Sequence, residues 1–422
     1  MNSFNSFTIL IVLAAVFAYL NHRFLKLAPA IGIMLLALIS SLLLIAVRVI
    51  YPDAALQVSG FVHSIDFSSL LLGSMLSFLL FAGATHINLN QLKQEKWAIM
   101  VFSSLSVVLS TLLTGLVLFY LLAVFHIGAP LIDCFLFGAL ISPTDPIAVL
   151  GILRKARISR SLEMKIAGES LFNDGVAVVV FLTILQVAEQ PDRFSWSDTI
   201  FLFCREALGG LAFGVLLGYA GLLLLRSIDQ YKVEILISLA LVTGGYSLAN
   251  QLGVSGPLAM VAAGILIGNP GNRFAMSHQT KMYFDSFWEL IDESLNAILF
   301  VLMGLELLLL HLEAVYFILG PLMILLVLCI RYLSVLLPAQ LIQWKEKITH
   351  KTILLLTWGG LRGGISIALA LSLQEGMHKD LWVSLTYFIV AFSILIQGLT
   401  AGRLALFLGR RSGKTGHQEA VH

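Results

Sequence analysis

Apolar residues along the chain run in long unbroken blocks, and the polar residues collect between the blocks instead of alternating with them. A hydrocarbon core about 30 Å thick takes roughly 20 helical residues to cross, so blocks of this length predict membrane spans. Thirteen runs approach it, near residues 6–22, 28–50, 66–87, 97–125, 130–153, 163–188, 199–225, 233–251, 254–268, 285–310, 314–342, 351–374 and 381–408, the ninth being short. The pattern predicts an all-α polytopic membrane protein with about 13 transmembrane helices. No positive charge precedes the first run and no small-residue cleavage pattern follows it, so it reads as a span and not as a cleaved signal. Two runs are interrupted at their centres, the fifth by Pro143 and Pro146, the twelfth by Gly359, Gly360, Gly363 and Gly364. Their positions, seven apart, fit two inverted six-span repeats around one linking span, each with a discontinuous helix crossing near the midplane.

Composition agrees with the pattern. Of the 422 residues 59% are hydrophobic and 12% charged, with mean hydropathy +0.94, which excludes an ordinary soluble domain. With 26 basic against 24 acidic residues there is no cationic surplus to hold nucleic acid. Cys134, Cys204 and Cys329 have no metal-ligand or disulfide spacing and read as packing residues. Charge placement adds an orientation: with the N-terminus outside, loops after odd-numbered spans hold twenty Lys and Arg, among them Arg154, Lys155, Arg157, Arg160 and Lys165, and the opposite side holds at most four, Arg48, Arg193, Arg205 and Lys379. This predicts an outside N-terminus and a cytoplasmic C-terminus. Trp97, Trp196, Trp344 and Trp382 fall near span ends, where interfacial aromatics are expected. The transporter domain covers 1–408, and 409–422 reads as a short cytoplasmic tail.

Ionisable residues near the bilayer centre are costly and mark function by default. Those at depth are Asp145, Glu169, Asp174, Arg331 and Arg362; Asp285, Glu289, Asp292 and Glu293 read as interfacial, because the uninterrupted apolar stretch begins only at Leu295. All ten histidines lie in loops, tails or span ends, so protons crossing the membrane would have to use carboxylates. In the sixth run Ser170, Asn173 and Asp174 fall at i, i+3 and i+4 on one helix face. Such hard oxygen ligands suit Na⁺ or Li⁺, and apolar surroundings favour a neutral carboxyl, so proton and cation can compete for Asp174. A packing tie to a neighbouring helix is the alternative role. In the fifth run the prolines leave the carbonyls of Ala139 and Ser142 without helical donors, open to a cation together with the Thr144 oxygen. Asp145 would neutralise a half-helix N-terminus or serve only as a cap; Arg362 would answer the negative half-helix ends. Arg331 needs a partner, and Glu169 is the natural one, with Arg362 competing for it.

SPTDPIAV (142–149), GESLFND (168–174), NAILFVLMGLEL (296–307), CIRYL (329–333) and GGLRGG (359–364) together resemble the monovalent cation/proton antiporter family of bacterial NhaP-type proteins and animal sodium/proton exchangers. The resemblance implies a core domain from the spans near 97–188 and 314–408 that moves elevator-like against a dimerisation domain from those near 6–87 and 233–310, with a linker span near 199–225. It implies Asp174 as cation and proton carrier, with Asn173, Ser170 and Thr144 lining the site and Na⁺ held at Asp174, Ser170 and Thr144. Glu169 and Arg331 resemble the family's core salt bridge, and Asp145 and Arg362 the charges at the crossed helices. Asn173 before Asp174 is similar to electroneutral members. Where some relatives carry an acid in the third span, this chain reads LLFAGATHINL (79–89).

The function implied is Na⁺ or Li⁺ exchange for H⁺ by a homodimer in a bacterial plasma membrane, in contact with lipid, without cofactor, enzymatic chemistry or nucleic acid. K⁺/H⁺ antiport on the same scaffold and a cation channel are the alternatives.

Overall fold

The computed structural model describes residues 3–47, 60, 62, 65–155, 158–190, 195–269, 276–310, 313–346 and 348–413. Arg48, Arg157, Arg193, Arg273, Lys347 and Lys414 of the loop charges, and the tail beyond 413, lie outside these residues. Numbered by apolar run, the helices are α1 (Asn5–Leu25), α2 (Pro29–Val47), α3 (Phe67–Thr85), α4 (Lys96–Val124), α5a (Leu131–Leu140) and α5b (Ile147–Lys155), and α6 (Arg160–Glu189). They continue as α7 (Trp196–Arg226), α8 (Tyr231–Leu252), α9 (Gly256–Gly268), α10 (His278–Leu305), α11 (Tyr316–Leu341), α12a (His350–Gly359) and α12b (Gly364–Leu371), and α13 (Lys379–Leu408).

Among the described residues nine helices are long and apolar enough to cross a membrane: α1 to α4, α6 to α8, α11 and α13. The other four runs depart from a simple span for different reasons. α5 and α12 are broken at the prolines and glycines, α9 has only 13 residues, and α10 carries polar and charged residues through its first half.

Local chemistry sets the helix starts. Ser159, Ser255, Ser277 and Thr349 stand at the N-caps of α6, α9, α10 and α12a, each side-chain oxygen accepting a first-turn backbone N–H. α9 is buried on almost every side, so it is a core element despite its length. It packs along α7, where a Cβ on Gly214 would stand 2.7 Å from the Ala259 Cα; only glycine permits that approach.

Two apolar cores meet at α6. Val180 and Phe181 join Phe137 of α5a and Trp382 of α13, whereas Leu171 and Val178 join Phe81 of α3, Tyr246 of α8 and Trp288 of α10. Trp97, Trp196 and Trp344 are exposed, but Trp382 is fully buried with its ring centroid 5.2 Å from that of Phe137. Its place near a span end predicted an interfacial residue; packing against α5a makes it a core one instead.

Candidate functional site at the helix crossing

The two interruptions meet. Pro143 and Pro146 end α5a and delay α5b, leaving an extended segment whose Asp145 N–H donates to the Leu361 carbonyl at 2.7 Å. Leu361 lies in the matching extended segment between α12a and α12b, and the pair forms an antiparallel bridge. A Cβ at Gly363 would stand 2.8 Å from the Asp145 Cβ, so the crossing is too tight for a side chain there. Arg362, 3% exposed, donates through Nη1 to the carbonyls of Ser142 (2.5 Å) and Pro143 (2.9 Å), just past the end of α5a. The cation thus meets the negative end of a half-helix. The carbonyls expected to be free are not: that of Ser142 is held by Arg362, and that of Ala139 accepts the Ser142 hydroxyl at 2.8 Å.

A brace from α13 completes the crossing. Ser393 Oγ accepts from the Arg362 backbone N–H at 2.9 Å and donates to Gln397 Oε1 at 2.6 Å, and Gln397 Nε2 donates to the Trp358 carbonyl at 3.3 Å. A π-helical turn over Ser393–Gln397 presents this pair. Sequence reasoning passed over both residues, although a buried polar pair at i and i+4 inside an apolar run was the available signal.

α6 runs beside the crossing and presents Glu169, Ser170, Asn173 and Asp174 to it. Glu169 and Arg331, 2% and 3% exposed, form an ion pair at 2.5 Å; with Arg362 turned to carbonyls, the competition for Glu169 resolves to Arg331 in this structure. Ser170 Oγ donates to the Thr144 carbonyl and lies 3.2 Å from Thr144 Oγ1. Asn173 grips the same residue with both amide atoms, Nδ2 donating to Thr144 Oγ1 at 2.7 Å and Oδ1 accepting from Thr144 N at 3.3 Å. Through these two contacts Asn173 holds Thr144 in place. Among the described residues Asp174 is the one member of the four with no hydrogen bond or ion pair.

Asp174 and the half-buried Asp145 both line a cavity of about 710 Å³. Its lining comes from α3, α5b, α6, α10 and α12b and from the extended segment between α5a and α5b. Toward the mouth it meets His86, Gln91, Arg154, Arg160 and Glu163, where Arg154 pairs with Glu163 at 2.6 Å. Partial desolvation lowers the His86 imidazole from its ordinary range, against the opposing pull of Asp285 and Glu289. The 79–89 stretch of α3 and its exit faces the cavity through Leu79, Leu80, Gly83 and His86, without a carboxylate.

α10 supplies carboxylates instead. Glu289, Asp292 and Glu293 line the same cavity as Asp174, together with Asn296. Reading them as interfacial did not place them on a cavity wall: hydropathy counts how apolar a run is, but not that its polar residues share one face. The spacing i, i+3, i+4, i+7 was legible and would have found them.

The architecture has close counterparts. A family model described as "Sodium/hydrogen exchanger, transmembrane" matches residues 11–406. The Na(+)/H(+) antiporter NhaP of Pseudomonas aeruginosa is 47% identical over 405 residues, covering 93% of this chain and 94% of that protein. The Na(+)/H(+) antiporter NhaH of Halobacillus dabanensis is 33% identical, covering 81% and 84%. The chain belongs to the sodium/hydrogen exchanger family. Members of this family are transporters, and this one is a multi-pass integral membrane protein. The solved structure of the sodium proton antiporter MjNhaP1 from Methanocaldococcus jannaschii shares the exchanger fold with this member, with a TM-score of 0.73 at 21% identity over 95% of this chain and 97% of that one.

Proposed function

We propose that the protein is a secondary antiporter exchanging Na⁺ or Li⁺ for H⁺, with cation and proton competing for Asp174. The observation that carries this reading is the state of the α6 stripe: Glu169, Ser170 and Asn173 are engaged by protein groups, and Asp174 alone is left facing the cavity. A hydroxyl keeps acceptor capacity after donating, so Ser170 Oγ and the Thr144 oxygens join the Asp174 carboxylate around a dehydrated cation. Asp145, Arg362 and the Glu169–Arg331 pair preserve the crossing. One exchangeable carboxylate beside a neutral Asn173 supports electroneutral, one-for-one exchange.

The cavity is lined both by α3 and α10 and by α5b, α6 and α12b, which supports an elevator movement of the α4–α6 and α11–α13 unit against α1–α3 and α8–α10. The mouth residues Arg154 and Arg160 belong to the basic, cytoplasmic side of the predicted topology, so the described state faces inward, with the N-terminus outside. A homodimer in the bacterial plasma membrane is part of the same reading.

Purified protein in vesicles with an internal pH dye, challenged in turn by Na⁺, Li⁺ and K⁺, tests it. Cation-dependent proton movement that Asp174→Asn abolishes is expected. Exchange only with K⁺ would reassign the cation, and cation flux without proton coupling would make the protein a channel.

A further inference from the structure

The α10 stripe changes character along its length. Glu289 and Glu293 are exposed, Asp292 is half-buried and Asn296 is 6% exposed, so the four cavity-lining residues form a gradient from mouth to interior over about 10 Å of helix. At the inner end Asn296 Nδ2 donates to Asp292 Oδ1 at 3.0 Å and to the Asp292 carbonyl at 2.8 Å. Those two bonds identify which amide atom is the nitrogen and leave Asn296 Oδ1 buried with no hydrogen-bond partner among the described residues. Ser366 Oγ of α12b, 1% exposed and lining the same cavity, is likewise without one. Among the described residues no Lys, Arg or His forms an ion pair with Asp292. Buried polar atoms are almost always satisfied, so two orphan oxygens and a carboxylate without an ion pair, all lining one cavity, point to an occupant that accepts oxygen ligands.

We propose that Asp292 and Asn296, with Ser366 across the cavity, form a second monovalent-cation station ahead of Asp174. Packing of α10 on α12b brings the two helices together: a Cβ on Gly364, two residues before Ser366, would meet the side chain of Leu299, one turn beyond Asn296. A cation entering past Glu289 and Glu293 sheds part of its water onto the Asp292 carboxylate and the Asn296 Oδ1, and is delivered to Asp174 from there. A hydrogen bond made only to steady α10 would employ the Asn296 amide N–H and leave its oxygen unsatisfied, as would a packing role for Ser366.

The proposal rests on the antiport reading for its meaning but is tested apart from it. Equilibrium binding of radioactive Na⁺ to the purified full-length protein needs no transport. In Asp174→Asn we expect weak, saturable Na⁺ binding to remain and to disappear in the Asp174→Asn/Asp292→Asn double variant; coincident isotherms overturn the second station. Should Asp292→Asn disturb folding, Asn296→Ala in the same background removes the orphan oxygen and is expected to weaken the residual binding, which an unchanged isotherm would contradict. In vesicles, Asp292→Asn should raise the KM for Na⁺ roughly three- to tenfold, and Asp292→Glu, which keeps the charge, should stay within about twofold. An unchanged KM in Asp292→Asn overturns the station and leaves Asp174 untouched. Absence of Na⁺-driven proton movement in the unaltered protein overturns the antiport reading instead, while the isotherms still decide on the station.

Discussion

α6 and α10 carry nearly the same pattern, oxygen-bearing side chains three and four residues apart on one helix face, yet of the α6 stripe only Asp174 lines the cavity, whereas Glu289, Asp292, Glu293 and Asn296 of α10 all do. On α6 the neighbouring crossing has broken backbone and a buried guanidinium to satisfy, and it takes up Glu169, Ser170 and Asn173, sparing Asp174. On α10 the neighbour is mostly open space, so Asp292 and Asn296 satisfy each other only in part and Asn296 Oδ1 is left over. Helical spacing therefore says which groups share a face. Whether they anchor the fold or remain available to an ion depends on what passes opposite.

That contrast can be broken by experiment. The largest effect is expected at Asp174: Asp174→Asn should lower Na⁺-driven proton exchange at least about a hundredfold while the protein still elutes as a folded species, whereas Asp292→Asn should retain exchange with a raised KM. Equal losses in the two variants would erase the distinction between the helices.

Next come the anchors of α6. Glu169→Gln or Arg331→Met leaves one buried charge without its partner and should cost about 3–5 kcal/mol, read as a lower thermal midpoint, with much of the loss recovered in the double variant. Single variants as stable as the unaltered protein would mean that the pair does not anchor α6. Asn173→Ala removes both contacts to Thr144 and should cost about 1–3 kcal/mol. Its Na⁺ KM should rise because Thr144 is no longer held; a stable variant with normal KM would move Asn173 out of the anchoring set.

The smallest effect belongs to the entrance of α6, where Lys165 pairs with Glu95 at 2.6 Å and Glu346 at 3.4 Å. Burial works to raise the Glu95 carboxyl, but hydrogen bonds from Lys165 and Ser161 and the Lys165 charge outweigh it and hold it below its ordinary range. A carboxylate whose folded pKa is depressed contributes stability above its unfolded pKa and loses it as pH falls through the lower folded value. Lys165→Met should therefore cost about 1 kcal/mol near neutrality, and the difference should shrink on acidification below the usual glutamate range. A cost that persists unchanged in acid would assign it to lost packing of the lysine stem.

Much of this arrangement was legible in advance. The apolar runs predicted helices wherever the described residues allow comparison, because hydrocarbon thickness imposes a length that composition reveals directly. The double proline and the glycine cluster marked both breaks, since a missing N–H or a missing Cβ acts wherever the residue is placed. Partnerships were harder. That Asn173 grips Thr144, 2.7 Å from its amide nitrogen, could not be read from helical spacing alone. Ser393 and Gln397 lie 31 and 39 residues beyond the backbone they brace, within an apolar run that concealed them. Trp382 illustrates the same limit, for nearness to a span end says nothing of whether another helix covers the ring.

By itself the sequence determined the membrane class, the approximate spans, the two interruptions and the few ionisable residues at depth, all of which follow from local hydropathy and backbone chemistry. Only the tertiary structure decided that the interruptions cross through Asp145 and Leu361, that Arg331 takes Glu169 while Arg362 takes carbonyls, and that α10 shares the cavity of Asp174. Those outcomes depend on which groups from distant segments compete for one donor or acceptor within a few ångströms, a contest that no local stretch of chain contains.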